Sequence, residues 1–381
     1  MENTLQLSVR TLEWAANKTG STLKDFARTM YSREKIIDNI TEGNLTLPQI
    51  RKFSDQAKVP FGFLFLNSPP QEYILDRNLI DFRTTPDAHP LSQDFLDIYK
   101  DVEHKQSWYK NYLTSYDAQK LDFVGKYKDR PRANINEIAN DIRSTLCLNE
   151  IASSVRNADE YFSAISTLCE NAGILIFKNS IVVNNTRRKL NASEFRGFVI
   201  SDSFAPAIFI NGSDSKYATI FTLAHELAHI WLGDSGVSDV AINSQNANEI
   251  RCNKIAAELL VPQEQFLKAW NEATGDAEER ISLLNQKFKV SELVIARLAL
   301  TTNKITPENY WVIHSEVMRN FEDYRRRLRE SDGGPSAMVM LPIKNSRKIT
   351  KTVIDLVKSN QLGTAEASVL LNVSATRIFS L

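Results

Sequence analysis

Two of the chain's five histidines lie four residues apart with a glutamate between them, in His225-Glu226-Leu227-Ala228-His229. On a helix, positions i and i+4 share a face, so both imidazoles can reach one metal ion. Glu226, beside the first histidine, is placed to take a proton from a water held at that metal. The chemistry this spacing points to is metal-assisted hydrolysis, and H-E-x-x-H is a pattern that holds zinc on a helix. A catalytic zinc needs three protein ligands and one open position, so a further donor must come from another part of the chain.

The helix that must carry the two histidines is predicted over residues 215–232, ending at Gly233. Ile220, Leu223, Ala224, Leu227, Ala228, Ile230 and Trp231 make it apolar nearly all round, which is the pattern of a buried helix. Burying His225, Glu226 and His229 there costs several kcal/mol unless they are paired or coordinating. A second helix is predicted over 246–261, closed by Pro262. One of its faces carries Glu249, Cys252, Asn253, Ala256, Ala257 and Leu260. Small Ala256 and Ala257 let it lie close to the first helix, which turns Glu249, one turn before Asn253, toward the metal. Cys252 is a rival ligand, because thiolates bind zinc well, but it lies off the line through Glu249 and Asn253. Glu258, further along the helix, is a weaker rival. Asn253 stands where a side chain can hydrogen-bond the outer nitrogen of a ligand histidine.

Ahead of the histidine helix come two helical patterns within 133–172 and three strand-like runs at 174–177, 195–200 and 207–210, punctuated by Asn and Gly. They predict a small three-stranded sheet; a sheet just ahead of such a helix resembles the layout of zincin peptidases, and that resemblance implies a strand near 207–210 to pair with an extended substrate. Residues 5–66 read as four or five short helices, broken at Thr19-Gly20-Ser21, Tyr31-Ser32, Glu42-Gly43-Asn44 and Val59-Pro60. Pro69-Pro70 closes this region. A long helix is predicted from Leu91 to about Asp117, with His104 on it and His89 just before it, both read as surface histidines. A further helix pair is predicted over 281–300 with Ser291 as N-cap. Another helix from about Pro307 carries His314, read as structural, and the charge run 320–330, read as a solvated face. After the Asp332-Gly333-Gly334-Pro335 break comes a tail ending in a helix-turn-helix-like fragment.

Three hundred and eighty-one residues suggest more than one core, and 43% hydrophobic with 24% charged residues reads as a soluble globular protein. Lys+Arg and Asp+Glu both number 46, so no global field draws the chain to nucleic acid or anionic lipid. Over residues 1–70, nine basic side chains against seven acidic leave 9 − 7 = +2, thin for a domain living on phosphate contacts. No apolar run approaches a membrane span, and the first residues lack the regions of a signal peptide. Three widely spaced cysteines argue against a disulfide framework. A cytoplasmic location is expected.

Three motifs occur in order: Glu194-Phe195-Arg196-Gly197-Phe198, then Phe221-Thr222-Leu223-Ala224-His225-Glu226, then Glu249-x-x-Cys252-Asn253-x-x-Ala256-Ala257-Glu258-Leu259-Leu260-x-Pro262. Over roughly 135–300 the chain resembles the ImmA/IrrE family of metallo-endopeptidases. Cys252 and Ile255 stand where alanine and phenylalanine are common in that family, and neither is expected to touch the chemistry. The N-terminal helices, with Thr22–Met30 and Ser32–Ile40 as the helix pair, resemble an XRE-type helix-turn-helix domain. Its Ile40-Thr41-Glu42-Gly43 turn has threonine where glutamate is usual. Asp81-Phe82-Arg83 also resembles longer members of the family.

The resemblance implies an α+β, mostly helical fold with a zincin-like (gluzincin) core. Its expected parts are a helix-turn-helix-like domain at 1–68, a connector at 69–132, a peptidase domain at 133–303 and a C-terminal helical region at 304–381. It implies a Zn²⁺ held by His225, His229 and Glu249, with Glu226 as base and Asn253 behind a ligand histidine. The implied substrate is a repressor-type regulator cut in a stress or mobile-element response. DNA binding through 1–68, and a toxin or repressor encoded nearby as partner, complete the expectation. The alternative is a regulator or antitoxin-like binding protein whose metal site is structural or weakly active.

Overall fold

The computed structural model describes residues 4–17, 19, 21–57, 59, 61–69, 80–81, 91–149, 151–238, 246–329 and 337–379. Outside the described residues lie Gly20, Pro60, Pro70, Phe82, Arg83, His89 and the 332–335 break, as do the side chains of the 320–330 charge run. The chain divides into two compact units, Met1–Arg77 with His89–Lys100, and Asn78–Ala88 with Asp101–Leu381.

In the first unit, β1 (Thr4–Gln6) pairs antiparallel with β2 (Asn44–Thr46). Around this ribbon stand α1 (Val9–Asn17), α2 (Leu23–Met30), α3 (Glu34–Thr41), α4 (Leu47–Ala57) and a 3-10 turn at Phe61–Phe65. Thr22 caps α2, its hydroxyl accepting from the Asp25 N–H. Leu12, Phe26, Ile37, Ile40, Ile50, Phe53 and Leu64 form the core, with Phe26 and Phe53 edge to face at 5.0 Å. The expected helices are there; the three-residue strands between them are an addition, too short to show an alternation in sequence.

α5 (Gln93–Ser115) begins in this unit and ends in the second. The second unit continues with α6 (Ile135–Thr145), α7 (Ile151–Ser154) and α8 (Ala158–Asn171). Its sheet has the order β3-β9-β7-β8-β4, with β3 at Ile80–Asp81, β4 at Leu175–Asn179, β7 at Gly197–Ile200, β8 at Ala207–Asn211 and β9 at Gly236–Ser238. β7 runs antiparallel to both neighbours, while β4 is parallel to β8 and β3 to β9. A separate hairpin joins β5 (Ile181–Val182) and β6 (Asn185–Lys189). The helix that carries His225 and His229 is α9 (Lys216–Leu232), followed by α10 (Ala247–Leu260), α11 (Gln263–Glu272), α12 (Ala277–Phe288), α13 (Glu292–Thr301) and α14 (Pro307–Arg329). The chain ends in α15 (Ala337–Lys344), α16 (Arg347–Lys358), α17 (Thr364–Leu371) and α18 (Ala375–Ile378).

Two expectations about the sheet are corrected. It has five strands rather than three, because two- and three-residue β3 and β9 acquire ladder partners only through tertiary contact. The strand at 207–210 cannot pair with a substrate through its backbone, since β8 is bonded to β7 on one side and to β4 on the other. The outer strand β4 is itself packed by α15. Among the described residues, no helix is long and apolar enough to cross a membrane.

Candidate metal centre

α9 runs through the core of the second unit, with every residue from Thr222 to Leu232 buried. Ser215 caps its start, accepting from the Ala218 N–H at 3.1 Å. Gly233 ends it in the left-handed region, at φ +76°, where a side chain would be strained. The final carbonyls are met by a preceding loop: the Gly125 N–H donates to Ile230 O at 2.8 Å and the Tyr127 N–H to Trp231 O at 2.9 Å. The Trp231 indole N–H donates to Asp141 Oδ2 at 3.0 Å, and its ring stacks on Phe123 at 4.5 Å.

α10 packs along α9 and α6. The Asn246 side chain caps its start by accepting from the Asn248 N–H. At its end the Arg143 guanidinium donates to the carbonyls of Glu258 at 2.5 Å and Leu259 at 3.4 Å. Ala256, fully buried, lets the two helices approach, as its small size implies.

This packing brings His225, His229 and Glu249 together, all fully buried. The two Nε2 atoms are 3.1 Å apart, and each lies 3.1 Å from one carboxylate oxygen of Glu249. Ligands held tetrahedrally about 2.0–2.1 Å from zinc stand about 3.3 Å from one another, so the triangle is close to the size a zinc ion requires. Apart from the two imidazole nitrogens that face them, the Glu249 oxygens meet no hydrogen-bond donor among the described residues, although buried carboxylates normally do. Three electron-pair donors therefore converge, and the residues fit a divalent cation.

The protonation states agree with this. Burial would raise the Glu249 carboxyl, but the two imidazoles facing it prevail and hold it at about 2. Burial pushes the His225 imidazole below its usual value, against the pull of the Glu249 carboxylate. An ionised carboxylate and a neutral imidazole are the forms that bind a metal. Burial, reinforced by Glu249, Asp234 and Glu226, drives the Cys252 thiol well above its usual range, and its sulfur lies beside the outer nitrogen of His229 rather than among the converging donor atoms.

The remaining expected residues are accounted for by position. Asn253 Oδ1 lies 2.9 Å from His225 Nδ1, the nitrogen facing away from the cluster. Cys252, expected to touch nothing of the chemistry, has its sulfur 3.6 Å from His229 Nδ1. Glu258 is elsewhere, accepting from the Gln263 N–H. His104 is exposed, and His314 lies against the rings of Tyr310 and Trp311 on its own helix. Glu226 is fully buried and faces β7. A Cβ built on Gly197 would stand 2.9 Å from Glu226 Oε1 and 2.8 Å from Thr222 Cγ2. Sequence reasoning missed Gly197 as a site residue, although a lone glycine in a strand pattern marks a close approach.

Residues 169–299 match a peptidase family model described as the IrrE N-terminal-like domain. The matched stretch runs from α8 into α13 and includes the sheet strands β4, β7, β8 and β9, with α9, α10 and every residue of the cluster. No curated protein and no solved structure matches the chain. The match agrees with the ImmA/IrrE resemblance and supports a peptidase, a hydrolase acting on protein.

Proposed function

We propose that this chain is a zinc-dependent endopeptidase with His225, His229 and Glu249 as ligands and Glu226 as general base. The observation that carries the reading is the convergence of two imidazoles and a buried carboxylate, 3.1 Å apart, on the turn of α9 that also holds Glu226. When bound there, zinc supplies Lewis-acid polarisation of the scissile carbonyl and makes water acidic enough to attack near neutral pH. Glu226 takes the proton that the attacking water loses and delivers it to the departing amide nitrogen. The Glu249 carboxylate offsets part of the cation's charge, and Asn253 holds the His225 ring in the tautomer that leaves Nε2 bare. The buried setting of Glu226 strengthens these electrostatic effects.

From the family resemblance, the substrate is a repressor-type DNA-binding regulator in the cytoplasm, cut to relieve repression. The helices of 1–68 serve to hold DNA or that partner. Zinc content and cleavage of a cognate repressor test the reading together. The parent should carry one zinc and cleave; Glu249→Ala should lose the zinc. Glu226→Gln should keep the zinc and lose about 10²–10⁴-fold in rate. Equal cleavage by Glu226→Gln would refute the mechanism, and zinc without any cleavage would favour a binding protein with a structural metal.

A further inference from the structure

Glu249, Cys252 and Asn253 occupy positions i, i+3 and i+4 of α10, which share one face of a helix. A single turn of this helix therefore brings a carboxylate to the metal cluster and one side chain to the outer nitrogen of each clustered histidine. Asn253 Oδ1 meets His225 Nδ1 at 2.9 Å. Cys252 Sγ meets His229 Nδ1 at 3.6 Å, within reach of a hydrogen bond to sulfur, and Cys252 is fully buried.

We propose that Cys252 is a positioning residue for His229: its sulfur accepts the Nδ1–H hydrogen bond and so keeps Nε2 bare and aimed at the metal. The inference rests on the zinc reading and assigns a role to a residue where the resembling family commonly has alanine. A neutral imidazole carries one proton, on one nitrogen or the other, and the partner of the outer nitrogen decides which. Nε2 of His229 faces Glu249 and His225; once that nitrogen is committed to a metal, the ring proton belongs on Nδ1, where the sulfur receives it. Thiol sulfur is a weak acceptor, but in a dry core a ring N–H that loses its acceptor is costly. The ring relieves that cost by turning or by moving its proton to Nε2, and either change spoils a metal ligand. Alanine at this position would provide no such acceptor.

The test uses the full chain and compares the parent with Cys252→Val, Cys252→Ala and Cys252→Ser. Zinc affinity is measured by chelator competition, and the site is read directly from the visible spectrum of the cobalt(II)-loaded protein. Valine fills about the volume of the thiol without accepting a hydrogen bond, whereas serine keeps an acceptor. Cys252→Val and Cys252→Ala should each weaken zinc binding about 10-fold or more and shift the cobalt spectrum, and Cys252→Ser should retain most of the affinity. Unfolding midpoints of the metal-free proteins identify any variant that fails to fold; the remaining apolar variant then decides. Parent-like affinity and spectrum in Cys252→Val or Cys252→Ala would overturn the proposal while leaving the zinc site intact, and so would a loss in Cys252→Ser as large as in valine. A parent that binds no zinc would overturn the zinc reading itself.

Discussion

Gly197 and Glu226 are fitted to each other: a Cβ on Gly197 would stand 2.9 Å from Glu226 Oε1, a separation that packed atoms do not tolerate. The same Cβ would lie 2.9 Å from the Phe209 carbonyl oxygen, which is backbone of the neighbouring strand and cannot turn aside. The missing side chain of β7 is thus the space that the Glu226 carboxylate occupies.

Gly197→Ala should therefore move Glu226 and strain the β7–β8 ladder. Displacing a catalytic group by about 1 Å can cost about 10²-fold in rate, and overpacking costs about 1–3 kcal/mol. Cleavage rate, zinc content and a urea unfolding curve separate the effects: the rate should fall far more than the zinc content. An alanine variant with the parent's rate would show that Glu226 does not depend on this space.

Asp141 ties the last turn of α9 to α6. Its Oδ2 accepts from the Trp231 indole and its Oδ1 from Lys126 Nζ at 2.7 Å. Asp141→Ala leaves the buried indole N–H without this acceptor, which should cost about 1–3 kcal/mol. Asp141→Asn keeps an acceptor and should lose less. Denaturant midpoints give the order directly; an alanine variant as stable as the parent would refute the anchoring role.

Lys178, on β4, places its Nζ 3.9 Å from the centroid of the Phe162 ring and 3.2 Å from Thr219 Oγ1 on α9. Burial brings its pKa down to about 8, from 10.5 in the exposed side chain. Between those values the unfolded chain binds more protons than the folded one, so this group makes stability rise with pH across the window. Lys178→Met has no such titration. Relative to this variant, the parent should gain about 2–3 kcal/mol of stability between neutral pH and about pH 10. A difference that stays constant with pH would mean that the amine is not desolvated.

How much could be read in advance follows from the range of each interaction. His225, Glu226 and His229 were legible because one helix holds all three, and the period of a helix is written in the spacing of its residues. Glu249 was legible for a related reason: the small residues Ala256 and Ala257 marked the face of α10 that would meet α9, and Glu249 lies near that face. Helix ends at Thr22, Ser215, Ser291 and Gly233 were likewise local, because a cap is a bond between near neighbours.

What the sequence determined by itself is a set of donors and the helices that carry them. Only the tertiary structure decided their distances, the five-strand order of the sheet and the burial of β8 between two partners. It alone set the sulfur of Cys252 against His229 and opened the space at Gly197 for Glu226. Those relationships join residues 23 and 29 positions apart across separate elements. No local periodicity encodes them; they follow from how α9, α10 and β7 exclude water together. The opening pair of histidines thus pointed to a metal site, and the packing of α10 and β7 around them decided which side chains meet there.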